Sequence, residues 1–303
     1  IMACASTARM TTCAKQAPIL CSFVPYRVPY AVGLGLQEHL VARRARARAE
    51  LRAAQIPLHG QDELQGNLAE ARRIANTDIL LLLEHTPVYT LGKRNDAAVK
   101  GVSASGLQAD IFHTQRGGLL TYHGPGQLVG YPILDLGAMG LSARCYIDRL
   151  QQSLRAALEA PPIAIPTQMA PSTEAKYTGI WVDDTHKIAS LGVHVRHRIT
   201  SHGFALNVFN TALQGFQNIV ACGLPDVRLT SIEEQLQKQD RPMTLTLPQV
   251  SGRVSAQLAH TLNREIELAP PSLLTYFANE IDGVEVLDRV LVDGVEVERA
   301  QSP

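Results

Sequence analysis

KYTGIWVDDTHKIASLGVHVRHRITSHGFALNV, residues 176–208, is the stretch that decides the fold. It alternates apolar and polar positions through three segments, broken at Asp183-Asp184 and again around His197. Alternation of this period belongs to strands with one buried face, and turns so short join antiparallel neighbours. Leu191, Val193 and Val195 share one face of the second segment, and Phe204, Leu206 and Val208 share one face of the third. A doubly wound dinucleotide fold would place helices between parallel strands. The expected class is therefore α+β, a two-layer α/β arrangement with a mixed, largely antiparallel central sheet flanked by helices.

The flanking sequence fits that frame. DILLLLEH, residues 78–85, is a short continuous apolar run and reads as a buried strand. ADIFHTQRGG, LLTYHG and QLVGYPILDL, between residues 109 and 136, read as three more strands joined by glycine turns. A helix over 33–54 carries the stripe Leu36, Leu40 and Val41, with the arginines from 43 to 52 as a solvated face or a contact for an acidic partner. ELQGNLAEARRIAN resumes helical character. Ser142 opens a helix through Ala160 whose inner stripe is Cys145, Ile147, Leu150, Leu154, Ala157 and Leu158. Thr230 and Glu233 form a capping box for a short helix, Pro248 stands at a helix start, and VLVDGVEVE reads as a hairpin turning at Asp-Gly.

With 303 residues and 46% hydrophobic content the chain can bury a sizeable core. Its 28 basic residues balance 28 acidic ones, so neither nucleic acid nor a membrane surface is expected as a partner. No stretch approaches the roughly 20 apolar residues of a membrane helix. The first 37 residues hold no Asp or Glu, while Arg9, Lys15 and Arg27 mingle with Ser6, Thr7, Thr11, Thr12 and Ser22. That composition fits a transit peptide, hence a mitochondrial matrix location, or a cytoplasmic one if the segment is only a disordered terminus. The expected division is a leader over 1–25, a catalytic domain over 26–237, and a C-terminal extension of helix and hairpin over 238–303.

Motifs narrow the chemistry. There is no phosphate-cradling P-loop, no G-x-G-x-x-G opening a helix after a strand, and no H-E-x-x-H, G-x-S-x-G or kinase signature. His194 and His197, three apart on strand-like sequence, point to opposite faces, so no metal is expected there. His85, His113 and His260 read as surface or hydrogen-bonded residues. Of the cysteines at 4, 13, 21, 145 and 222, the first three fall in the leader and Cys145 on a helical stripe, without C-x-x-C spacing. Cys222, in IVACGLPD, stands in a loop before Gly223 and Pro225, a context suited to a nucleophile. A thiol needs a neighbouring cation to become thiolate near neutral pH, and His123, His202 and Lys187 are the candidates. Lys187 opens the alternating strand KIASLGVHV, where a solvated strand-end lysine is the plain alternative.

RGGLLTYHGPGQLVGYPILDL, residues 116–136, together with LLLLEHTPVYTLGKR before it and TGIWV, KIASLGVHV, SHGFALNV and ACG after it, resembles the octanoyl-(acyl-carrier-protein):protein octanoyltransferases, the lipoate-protein ligase B family. The resemblance runs collinearly over roughly residues 25 to 236 and fits a eukaryotic mitochondrial member. It implies a fold similar to lipoate ligases and biotin protein ligases, and no cofactor. It also implies that Cys222 takes an octanoyl chain from acyl carrier protein as a thioester, with Lys187 lowering the thiol pKa and moving protons. The acceptor would be a lysine on a lipoyl domain, such as those of glycine cleavage H protein or 2-oxoacid dehydrogenase E2 subunits. Arg116, Gly117, Gly118, Leu119, Leu120, Thr121, Tyr122, His123, Ser190, Leu191, Gly192, Gly203, Phe204 and Ala205 match the family's substrate-contacting segments. Gly117, Gly118 and Gly124 would let the acyl group lie against the main chain, whose free N–H groups could hold an oxyanion. Tyr122 could equally be core, and His123 could equally serve the loop. Ala221 stands where the family usually has Pro. Residues 43–76 and MAPSTEAKY are longer than the bacterial pattern and are expected to be surface insertions. The rival readings are an ATP-dependent lipoate or octanoate ligase, and a non-catalytic binding protein that keeps the pocket.

Overall fold

The computed structural model describes residues 16–60, 63–93, 109–168, 170–219, 223, 224, 226–270, 289–292 and 295–298. In chain order the strands are β1 (Ile19–Val28), β2 (Asp78–His85), β3 (Val88–Leu91), β4 (Asp110–His113), β5 (Thr121–His123), β6 (Gln127–Ile133), β7 (Gly179–Trp181), β8 (His186–Arg196), β9 (Ile199–Asn207), β10 (Arg228–Leu229), β11 (Ile266–Leu268), β12 (Arg289–Val292) and β13 (Val295–Glu298). The helices are α1 (Tyr30–Ala53), α2 (Gly66–Asn76), α3 (Ala143–Glu159), α4 (Ile232–Gln237) and α5 (Leu247–Leu262). The main sheet runs β10-β8-β9-β6-β2-β1-β11, with β7 on β8, and a small sheet runs β4-β3-β5. β7 to β9 and β6 pair antiparallel, whereas β1 lies parallel to β2 and β11. The mixed, largely antiparallel sheet flanked by helices is thus present.

β2 shows how one apolar run serves two cores. Leu80 and Leu82 enter the cluster under α3 and α5, while Ile79, Leu81 and Leu83 enter the one under α1. Because successive side chains of a strand point to opposite faces, a strand buried on both sides needs no polar alternation. Two layers therefore become three, with α1 on one face of the sheet and α3 and α5 on the other. Among the described residues no helix is long and apolar enough to cross a membrane.

Both expected domain boundaries fall inside this architecture. The cut at residue 25 divides β1, whose Ile19 and Cys21 are buried and whose Ile19 pairs with Asp78. Prolines at 18, 25 and 29 and the absence of acids resemble a leader, yet a strand interior needs no acids either. Beyond residue 237, α5 places Val250, Val254 and Leu258 in the main core, and β11 closes the sheet edge on β1. Residues 1–15 lie outside the described residues.

The arginine-rich face of α1 is also not wholly solvated. Arg44, 3% exposed, donates to Asp78 Oδ1 at 2.9 Å, and Arg264 donates to Asp78 Oδ2 at 2.8 Å. One turn on, Arg48 pairs with Asp135. Ala47, Leu51, Ala71 and Ala75 pack α1 on α2, so the segment 43–76 is a helical hairpin with its own apolar seam. Asp78→Ala would leave two buried guanidinium groups without their carboxylate, and should cost about 3–5 kcal/mol of unfolding free energy in denaturant titrations. A loss below about 1 kcal/mol would mean the cluster is solvated.

Local signals are shifted by a residue or so. The α4 cap is Ser231, accepting from Glu234 N at 3.0 Å, rather than Thr230, because Glu233 instead accepts from Asn210 N at 2.7 Å. In α3, Ser142 caps as expected, but Tyr146 is buried while Cys145 and Ile147 are only half-buried. The β8–β9 turn is His197-Arg198, both left-handed with φ 49° and 66°, and Arg198 donates to the Leu136 and Leu141 carbonyls.

Candidate active site

A cleft of about 600 Å³, its open mouth included, lies between the inner face of β6, β8 and β9 and the loop that precedes β5. Arg116, Gly118, Leu119, Thr121, His123, Lys187, Ser190, Leu191, Gly192, Gly203, Phe204 and Ala205 line it. Three expected site residues do not. Leu120 and Tyr122 pack with Tyr89, Leu91 and Phe216 beneath the small sheet. Gly117 offers only backbone, and its N–H already donates to Val193 O at 3.1 Å, so it is not a free oxyanion donor. Gly124 likewise serves the interior: a Cβ there would fall 2.1 Å from the Tyr122 hydroxyl.

Arg116 builds the loop. Buried, it donates to the carbonyls of Thr90, Gly117 and Leu119 and to Thr90 Oγ1, at 2.7–3.0 Å. Gly192 on β8 lets this loop approach, because a Cβ there would stand 3.0 Å from Arg116 Cδ and from Gly117 O.

Lys187 is placed with equal care. Asp183 Oδ1 accepts from the N–H groups of Thr185 and His186, both at 2.8 Å, which turns the chain into β8. Lys187 then points inward and is 1% exposed, beside the Trp181 ring with Nζ 5.5 Å from its centroid. A solvated strand-end lysine is thereby ruled out, and burial of this kind is uncommon for lysine. Gly179 on β7 makes the space: a Cβ there would lie 2.1 Å from Lys187 Cε and 2.6 Å from Ala189 O. Gly179→Ala should therefore displace the amine; if Lys187 takes part in the reaction, a displacement of about 1 Å can cost about 100-fold in kcat. Thermal melting alongside steady-state kinetics would separate this from unfolding; a wild-type kcat would show that Lys187 has slack.

The histidines divide differently from the sequence reading. Burial first, with Arg116 and His85 assisting, pushes His123 down to about 3, and burial with Arg116 and His194 does the same to His202. Both are neutral near pH 7 and so do not supply a cation. His123 Nδ1 bonds Gln127 Oε1 at 2.7 Å. His85, read as a surface or hydrogen-bonded residue, is the second of these and fully buried: its Nδ1 donates to Val28 O at 2.8 Å and its Nε2 accepts from Tyr131 OH at 2.6 Å.

Cys222 lies outside the described residues. Gly223, which follows it in the chain, has φ 64° and stands beside Leu119, a Cβ there reaching 2.9 Å from Leu119 Cδ1. Cys21 sits on β1, and burial pushes its thiol up to about 12, so it is no nucleophile. Among the described residues no cluster of His, Cys, Asp and Glu could hold a metal.

Sequence reasoning missed Tyr30, Val129, Tyr131 and the segment Ala175, Lys176 and Thr178, all of which line the cleft. The last group belongs partly to MAPSTEAKY, expected to be a surface insertion; it lines the cleft from a short 3-10 turn at Ala175–Tyr177. No local signal marks these residues, since only the packing of β6, α1 and this turn brings them together.

The helix-flanked mixed sheet is the fold of solved lipoate-protein ligases. A lipoate-protein ligase A solved with bound ATP superposes with a TM-score of 0.55 at 12% identity, over 82% of this chain and 88% of that one. The sequence is 39% identical over 204 residues to octanoyl-(acyl-carrier-protein):protein N-octanoyltransferase LIPT2, mitochondrial, of Danio rerio, covering 67% of this chain and 86% of that protein. It is 41% identical over 224 residues to an octanoyltransferase of Acidobacterium capsulatum, covering 67% and 85%. Residues 60–259 match the lipoyl protein ligase A/B catalytic domain. The chain belongs to that family and, within it, to the octanoyltransferases.

Proposed function

We propose that this protein transfers an octanoyl group from acyl carrier protein to a lysine of lipoyl domains, through a thioester on Cys222 with Lys187 as acid and base. The observation that carries this reading is Lys187: a lysine buried in a strand, given room by Gly179, with its amine on a largely apolar cleft. Gly223 beside Leu119 supports Cys222 as the thiol that meets it.

The chemistry balances without a nucleotide. The Cys222 thiolate attacks the carrier thioester carbonyl, the carrier thiol leaves, and the proton held at Lys187 goes to it. The acceptor amine then attacks the Cys222 thioester and gives up a proton to the now neutral Lys187, the new amide forms, and the departing Cys222 thiolate is stabilised by the ammonium so restored. Thioester exchange is near neutral in free energy and aminolysis is downhill. The donor follows the wording of the zebrafish relative's name, as does a mitochondrial location. Lipoyl domains of glycine cleavage H protein and 2-oxoacid dehydrogenase E2 subunits are the acceptors to try first.

Purified protein with octanoyl-carrier protein and an apo lipoyl domain, and no nucleotide, should form octanoyl-lysine. Modification that requires ATP and free octanoate would make the protein a ligase instead. Binding of the octanoyl carrier with turnover in neither assay would make it a non-catalytic pocket.

A further inference from the structure

The proposed reaction leaves open what stops the acyl chain, and the ring-lined part of the cleft bears on it. Tyr30, His123, Tyr131 and His202 all line the cleft and are interlocked rings. Tyr30 stacks on His123 with centroids 6.1 Å apart and planes 2° from parallel, and Tyr131 meets His202 edge-on at 6.3 Å. His85 sits behind them, with its centroid 5.1 Å from Tyr30, 6.0 Å from His123 and 5.9 Å from Tyr131. Its two hydrogen bonds, to Val28 O and from Tyr131 OH, fix its tautomer and hold the Tyr131 hydroxyl turned toward it. The polar atom of Tyr131 is thus spent on His85, and the ring carbons are left for the cleft.

Strand register sets the distance. Gly130 pairs with Phe204 and Ala189 with Leu206, so Tyr131 comes level with Gly203, while Lys187 lies beyond Ala189 toward the other end of β8. The levels of Gly203 and Leu206 are three residues apart along β9, about 10 Å at roughly 3.3 Å per residue, and Lys187 lies beyond the second. Ser190, Ala205 and Val129 lie between, lateral neighbours on β8, β9 and β6.

We infer that Tyr131, clamped by His85, is the end-stop that sets the longest acyl chain this protein accepts. The inference rests on the proposed acyl transfer at the Lys187 end. A terminal methyl would meet the ring face, and further methylenes would have to displace a ring packed against those of His85 and His202. Cores resist such displacement because they are close-packed in discrete rotamers.

The test is competition among hexanoyl, octanoyl, decanoyl and dodecanoyl carrier thioesters, read by intact-mass adduct formation on wild type, Tyr131→Ala and Tyr131→Leu. Wild type should favour octanoyl and discriminate against dodecanoyl. Both variants should raise the dodecanoyl-to-octanoyl ratio about tenfold or more, the discrimination one methylene provides in a hydrophobic pocket. Tyr131→Leu retains an apolar packing surface should the alanine variant fail to fold, as thermal melting will report. Variants that load acyl groups with the wild-type length profile would overturn the end-stop. Wild type that forms no adduct with any donor would instead overturn the acyl-transfer reading on which it rests.

Discussion

Cys222→Ser should abolish octanoyl transfer, with a fall in rate on the order of 10³-fold or more, as removal of an activated nucleophile does elsewhere. A thiol of ordinary pKa about 8.5 is brought into play by a neighbouring ammonium, whereas a serine hydroxyl remains protonated beside the same group. Any oxyester that did form would resist the acceptor amine better than a thioester, so the variant would at most accumulate a slow adduct. Mass spectrometry after mixing with octanoyl-carrier protein reads both effects. Cys21 is a built-in control, since its thiol is buried and pushed up to about 12. An adduct that persists at wild-type rate in Cys222→Ser would move the nucleophile elsewhere and end the proposed mechanism.

The second large effect concerns Lys187. Lys187→Arg keeps the charge but gives a group that cannot surrender its proton near neutral pH, and kcat should fall about 10²–10⁴-fold, the usual share of general acid and base catalysis. The planar guanidinium must also fit where Gly179 and the Ala189 carbonyl already crowd the lysine stem. Single-turnover kinetics should show both loading of Cys222 and release to the acceptor slowed. Wild-type single-turnover rates in this variant would confine Lys187 to a structural role.

Much of this site was legible along the chain because its components are local. The short antiparallel strands and the lysine after the Asp-Asp turn are specified by neighbours within a few residues, and the R-G-G loop stands in a contiguous motif although Thr90 and Val193 hold it. Gly192 and Gly179 stand in readable motifs, although what each makes room for, the Arg116 loop and the Lys187 stem, comes from a different strand or loop. The errors are of one kind. Arg44 and Arg48 resemble the other arginines of α1, yet Asp78 and Asp135 wait opposite them. Tyr122 and Tyr131 are both tyrosines in short strands, but one joins the small-sheet core and the other faces the cleft.

By itself the sequence determined the α+β class, the antiparallel order of β7, β8 and β9, and the kinship with the octanoyltransferases, because periodicity, turns and contiguous motifs are properties of the chain. Only the tertiary structure decided that β1 and α5 complete the core, that His123 and His202 are held neutral, and that Lys187 is buried against Trp181. Those outcomes depend on desolvation and on contacts between residues far apart in sequence, which no local pattern encodes.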